Sequence, residues 1–366
     1  MRVATFTLSF LPFPSAYAVA LLTVSIAHAW NGPGHQTIDL VAWSQLAEAD
    51  QAAAIDLLRD HPRFEQHFLG SMPSNVWAGS DAEIDAWIFA HAGTWPDQVR
   101  SARGQVTRDD VRRYGRSTWH YVNLWVFLSD SDRDALAGKL TNNRETEPTD
   151  DRDDRNQNVV QAIGNSLRII DDPATDRQAK AVSLCWFLHL AGDVHQPLHS
   201  SALYSVGRFP AGDRGGNSIP VRGHGGDLHA LWDRAILPRR TDFNRVRKEA
   251  LDLVQEHAES GKAAAAELEP KQWAVDSWRL ARAMVYTDAV LAPITAADGS
   301  PRLHKLELPT KYLRDAGITS KHRAVQAGYR IAETLKGRLP AAEGVREPLV
   351  RPAEPEASGG GAGQQE

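Results

Sequence analysis

An all-α fold, arranged as a single mainly helical domain, follows from three features of the sequence. Seven segments carry apolar residues at three- and four-residue spacing, the period that lines one face of an α-helix. Alternating strand patterns are scarce and confined to the stretches around Ile219–Val221 and Trp119–Asn123. The one cysteine, Cys185, excludes an intrachain disulfide, so the 366-residue chain depends on a large core or on metals.

In chain order, residues 1–29 read as a secretory leader. Arg2 supplies a basic start, an apolar stretch runs from about Phe6 to Ile26, and Ala27-His28-Ala29 fits the small-x-small cleavage rule. The stretch is long enough for a membrane anchor, but Pro12 and Pro14 interrupt it and a cleavage site follows at once. Cleavage after Ala29 gives a mature chain that starts at Trp30 with a free α-amino group. The periodic spacing predicts helices over 36–59, 81–91, 155–171, 177–195, 240–259, 270–290 and 320–336. Between them lie an Asp- and Arg-rich loop at 141–154 and a Gly-rich loop at 203–226. These elements assign one domain to 30–339 and a disordered tail, rich in Pro, Glu, Gly and Ala, to 340–366.

Charge narrows the possible partners. With 41 Lys and Arg against 46 Asp and Glu, the chain is mildly acidic and has no broad basic surface of the kind that grips duplex DNA. A nucleic-acid partner would need positive charge from another source, and bound metal is one.

Histidine and aspartate carry the chemical signal. In Leu188-His189-Leu190-Ala191-Gly192-Asp193-Val194-His195-Gln196-Pro197-Leu198-His199, His189 and Asp193 are four apart, which puts an imidazole and a carboxylate on one helix face. Pro197 is expected to end that helix and return His199 toward the same region. His229 and Asp233 repeat the spacing, and Cys185 in its apolar run reads as a buried small hydrophobe. Each piece has an ordinary alternative: a hydrogen-bonded helix pair, a core histidine at His120, an N-cap at Asp97. Two His-x-x-x-Asp pairs beside a His-rich segment suit zinc, because the ligands are nitrogen and oxygen without thiolate.

The set Trp30-x4-His35, Trp95-Pro96-Asp97, Trp119-His120-Tyr121, the His189–His199 segment, Gly212–Asn217 and His229-x2-Trp232-Asp233 resembles the zinc-dependent single-strand nucleases of the S1/P1 type. The resemblance extends to Ala327–Ala332, nearly the whole mature chain. It implies three zinc ions. One is held by Asp97, His120, His189 and Asp193; a second by Asp193, His35 and the α-amino nitrogen and carbonyl oxygen of Trp30; the third by His199, His229 and Asp233. It further implies cleavage of single-stranded DNA or RNA to 5′-phosphate products, with nucleotides as additional substrates through 3′-nucleotidase action. Asp97 and Asp193 belong to the catalytic set. Arg100 matches a cation near the phosphate, and Tyr121 an aromatic position on which a base stacks. An exposed helix arginine and a core tyrosine are the plain alternatives. Asn123 departs from the Asp of many relatives and can position a water but not take its proton. His195 is assigned a supporting role and His224 a place in a loop. No stable protein partner is implied, nor any membrane after leader removal.

Two other readings compete. The zinc phospholipases C resemble the same fold, but they space the first His further from the terminal Trp and typically close the ligand set with Glu; here the gap is five positions and Asp233 closes it. A non-catalytic, zinc-stabilised binding protein would need ligand sets closed to substrate.

Overall fold

The computed structural model describes residues 30–149, 156–297, 300, 302–342 and 348–350. The leader assigned to 1–29 and most of the tail from 340 lie outside the described residues. Helices dominate, as the periodicity predicts. The first half contains α1 (Gly32–Gln45), α2 (Glu48–Arg59), α3 (Ser74–Trp77), α4 (Asp81–Ala92), α5 (Trp95–Gln98), α6 (Arg108–Tyr114), β1 (Leu124–Phe127), α7 (Asp130–Leu136) and α8 (Val159–Asp171). The second contains α9 (Arg177–Asp193), β2 (Ser201–Tyr204), α10 (Leu228–Asp233), α11 (Phe243–Ala264), α12 (Pro270–Leu280), α13 (Asp288–Ala296) and α14 (Thr310–Leu335).

Local chemistry sets the helix ends. Asn31 caps α1 by accepting from the Gly34 N–H at 2.9 Å, and Pro33 fits the first turn, where no amide donor is needed. Ser80 and Glu83 form a reciprocal capping box on α4. The stretch expected as one helix over 36–59 divides in two because Leu46 turns extended, at ψ 140°. The stretch over 270–290 also divides, with a wide π turn at Ala281–Val285 before α13.

The strands differ from expectation. The Trp119–Asn123 stretch is irregular, and the strand begins at Leu124, pairing in parallel with β2 from Leu124–Ser201 to Phe127–Tyr204. The run Leu124-Trp125-Val126-Phe127 is apolar throughout, so it lacks the alternation that marks a strand with one solvated face. Ile219–Val221 makes only isolated bridges, Pro220 to Asp227 and Val221 to Leu306.

α9 is buried along most of its length, and Leu184, Cys185, Phe187, Leu188, Leu190 and Ala191 are fully enclosed. An all-round apolar helix belongs at the centre of a bundle. Burial also pushes the Cys185 thiol well up, which fits a small core residue and not a nucleophile. One hydrophobic cluster gathers around α1, α2, α4, α9 and α14. A second forms around the strands, α10 and α13. The two meet where α9 ends, with Val194 in the first and Leu198 in the second. No helix among the described residues is long and apolar enough to cross a membrane.

α14 crosses α1 at Gly328, where an added Cβ would stand 2.5 Å from Val41 Cγ1 and 2.9 Å from the Ile38 carbonyl oxygen. Gly328→Ala is therefore expected to force the helices apart and to lower the unfolding free energy by about 1–3 kcal/mol in urea denaturation. An unchanged midpoint would show that the crossing relaxes freely.

Candidate metal centre

Five segments converge where α9 ends. Its last turn presents His189 and Asp193, both without solvent exposure. The helix stops at Asp193, four residues ahead of Pro197, so the proline does not end it as its position suggested. Pro197 instead opens the 3-10 turn Pro197–His199, which Gln196 caps by accepting from the Leu198 N–H. The first turn of α1 brings His35, α5 brings Asp97, the turn before β1 brings His120, and α10 brings His229 and Asp233. Thr94, not Asp97, occupies the N-cap position of α5, and its side chain makes no capping bond there.

Three groups of ligand-type atoms result: His35, His189 and Asp193; Asp97, His120 and His189; and His199, His229 and Asp233. Within each group the atoms lie within 4.8 Å of one another. Asp193 is the hub. Its carboxylate oxygens stand 3.0 Å from His120 Nδ1, 3.2 Å from His189 Nε2 and 3.3 Å from His35 Nε2.

Ring orientation decides what these atoms can bind. His199 Nδ1 lies 2.6 Å from the His120 carbonyl oxygen and His229 Nδ1 lies 2.7 Å from that of Gly215. A carbonyl oxygen only accepts, so in both rings Nδ1 carries the proton and Nε2 presents a lone pair. Those two Nε2 atoms face each other at 3.0 Å. Burial lowers the His199 pKa to about 4, so that ring is neutral at neutral pH and its Nε2 offers a lone pair. Facing lone pairs repel, and a cation between them removes the conflict. His189 is oriented in the same way, with Nδ1 on the Gly93 carbonyl at 2.7 Å and Nε2 turned to Asp193 and to His120 Nδ1 at 2.9 Å.

The carboxylates call for the same cation. Burial pushes Asp233 well above the usual range, and the Asp97 and Asp193 charges add to that. Burial would also raise Asp193, but the His189 and His199 rings hold it well below. Burial would lower His189, yet Asp193 and Asp97 carry it up to about 9. The enclosed carboxyl groups and imidazoles form a donor set of nitrogen and oxygen without thiolate, which suits zinc.

The remaining sequence assignments divide. Trp30 is fully buried, its indole N–H donates to the Gly192 carbonyl at 2.9 Å, and its chain continues to Asn31, whose N–H donates to Asp233 O at 3.0 Å. Arg100 is not an exposed helix arginine: its side chain is nearly enclosed and donates to Asp97 Oδ1 at 3.1 Å. Tyr121 is 40% exposed, so its ring is not core packing. Asn123 is half-buried, and its carbonyl accepts from Asn142. His195 lies away from the ligand groups, between the Ala191 carbonyl and Arg330. His224 sits in a loop with a positive φ of 45°.

Several contributors were invisible in sequence. The orienting partners of His189, His199 and His229 are backbone carbonyls, which carry no residue-type signal. Gly215 supplies one of them at φ +59°, and its Cβ would fall 2.5 Å from the Leu198 carbonyl oxygen. Gln196 Nε2 donates to Asp233 Oδ1 at 2.9 Å. Beneath α5, the Trp95 indole donates to His67 Nδ1 at 3.0 Å and stands edge-on to His61. A cleft of about 530 Å³ opens over the centre, lined by Asp97, His229 and Asp233 together with Arg103, Arg234 and Arg239.

A family model described as S1/P1 Nuclease matches residues 30–339. Nuclease S1 of Aspergillus oryzae is 21% identical over 339 residues, 87% of this chain and 94% of that protein. Two Arabidopsis thaliana proteins also match. Endonuclease 5 is 26% identical over 214 residues, 58% of this chain and 57% of its own length. Endonuclease 1 is 35% identical over 104 residues, 28% of this chain and 31% of its own length. The chain thus spans only about a third to somewhat over half of the two plant proteins.

Two outcomes follow from this geometry. An added Cβ at Gly192 would lie 2.9 Å from His35 Nδ1. Gly192→Ala should displace that ring and weaken metal retention about 10–100-fold, read by competition with a chelator. Burial lowers the His61 pKa from 6.5 to about 3, so the folded state stays neutral there while the unfolded chain takes a proton below 6.5. That group makes stability fall with pH by about 1.4 kcal/mol per unit between those values. His61→Gln, compared with wild type in urea with EDTA at pH 6.5 and 4.5, should show a shallower fall, and an equal fall would remove His61 from the account.

Proposed function

Because the chain belongs to the S1/P1 nuclease family, we propose that it is a secreted, zinc-dependent endonuclease acting on single-stranded DNA and RNA. Cleavage leaves 5′-phosphate ends, and 3′-nucleotidase action is part of the same reading. The observation that carries it is the pair of lone-pair nitrogens, His199 Nε2 and His229 Nε2, facing each other at 3.0 Å beside buried Asp233.

Asp97, His120, His189 and Asp193 would hold one zinc. His35 and Asp193 would hold a second with the α-amino nitrogen and carbonyl oxygen of Trp30, which leader removal frees. His199, His229 and Asp233 would hold the third. Bound zinc supplies Lewis-acid activation of water and of the phosphoryl oxygen. The protein supplies the rest. Carbonyls fix the tautomers of three imidazoles, and the nearly enclosed Arg100 holds Asp97 and offers its other N–H groups to a phosphate. Arg103, Arg234 and Arg239 line the cleft and draw a polyanion into it. The exposed Tyr121 ring offers a base a stacking face, which a duplex keeps covered; single strands are therefore favoured. Asn123 can orient a water through its amide but cannot take a proton.

The test is metal content and hydrolysis measured together on protein that starts at Trp30. About three zinc per chain and cleavage of single-stranded DNA and RNA are expected, with activity lowered at least ~1,000-fold by Asp193→Ala or by EDTA. Phosphatidylcholine hydrolysis without nucleic-acid cleavage would move the protein to the phospholipase C branch. Metal without hydrolysis of either would end the catalytic reading.

A further inference from the structure

We propose that the groove along β1 is a second contact for the same substrate, gripping single-stranded nucleic acid several nucleotides from the scissile bond. This rests on the nuclease reading above. The groove measures about 750 Å³, and its lining includes Trp125, Phe127, Trp278, Arg133, Arg144 and Arg282.

Its position follows from the sheet. The Val122 N–H donates to the His199 carbonyl at 2.8 Å, and β2 begins two residues after His199. The Leu124 end of β1 therefore lies beside the candidate centre, and the strand leads away from it. Tyr121 stands three residues before that end. Four residues from Tyr121 to Trp125 reach at most about 14 Å. That is about four nucleotides at a stacked rise of 3.4 Å. A strand stacked on Tyr121 has only to continue along β1 to enter the groove.

The lining chemistry selects the occupant. The Trp278 indole N–H donates to the Trp125 carbonyl at 3.0 Å and fixes α12 against β1. Arg144 lies 3.4 Å over the Trp125 ring, and Arg282 lies 4.8 Å from the Trp278 ring. Both arginines are exposed, and neither has an ion pair among the described residues. Arg133 differs, being paired with Asp130 at 2.9 Å and Asp134 at 3.5 Å. A guanidinium laid on an indole offers its outer face to a base and its N–H groups to a phosphate. Rings alternating with uncompensated cations match a polyanion with exposed bases. They match neither an uncharged apolar ligand nor a duplex, whose bases are stacked inside.

The test uses the full mature chain carrying Arg144→Ala and Arg282→Ala together, both at exposed positions, assayed on a dinucleotide and on a 12-nucleotide oligothymidylate. The 12-mer KM should rise about tenfold with kcat unchanged, while dinucleotide kinetics stay as in wild type. The slope of log KM against log salt for the 12-mer should flatten by about 1.4, the share of two phosphate contacts on a single strand. Equal effects on both substrates, or none on the 12-mer, would overturn the groove. If wild type cleaves no nucleic acid, the nuclease reading fails by itself, and fluorescence anisotropy of the labelled 12-mer then decides the groove. Tight binding lost in the double variant supports it, whereas equal binding in both overturns it. Inorganic polyphosphate displacing the 12-mer at equal charge concentration would also overturn it, because stacking would then contribute nothing.

Discussion

A carboxylate buried without solvent sits at the end of α9, and the arrangement around it answers that single cost. Removing an ionised carboxylate from water costs several kcal/mol unless opposite charge and hydrogen-bond donors replace the water. Asp193 has imidazole nitrogens at 3.0, 3.2 and 3.3 Å, contributed by His120, His189 and His35. Those rings come from three separate parts of the chain, so satisfying one side chain ties α1, α9 and the turn before β1 to one point. Asp97 and Asp233 bring two more carboxyl groups into the same enclosure. Divalent cations would let all three carboxyl groups stay ionised in that enclosure.

The surrounding structure works mainly by fixing which ring nitrogen faces inward. Backbone carbonyls of Gly93, His120 and Gly215 take the outer N–H of His189, His199 and His229. The positive φ of Gly215 and its tight approach to the Leu198 carbonyl explain why that loop is glycine-rich, since a side chain there would push the carbonyl off the ring. The Trp95, His61 and His67 layer plays the matching part under α5, holding the turn from which Asp97 projects. Orientation is thus settled by packed core and backbone, which lose little entropy when a ligand binds.

Two recesses lie on the outer side of the same framework. The cleft places Arg103, Arg234 and Arg239 beside the candidate ligands, and the parallel pair β1–β2 leads from the centre to the Trp125 and Trp278 groove.

The sequence by itself determined the helical class, the positions of most helices and the family, because apolar period and residue-type spacing are local properties that survive without coordinates. The pairs His189 with Asp193 and His229 with Asp233 were legible for that reason: four residues make one helical turn. It also marked Cys185 as core. Only the tertiary structure decided the rest. The breaks at Leu46 and Ala281 fall inside continuous periodic patterns, so spacing alone did not mark them. The strand at Leu124–Phe127 escaped notice because its four residues are all apolar and show no alternation. Whether Arg100 is enclosed and Tyr121 exposed depends on neighbours far away in sequence. The tautomers of His199 and His229, and so the facing lone pairs that point to a cation, rest on main-chain oxygens that every residue carries alike, which is why no reading of side chains alone could have found them.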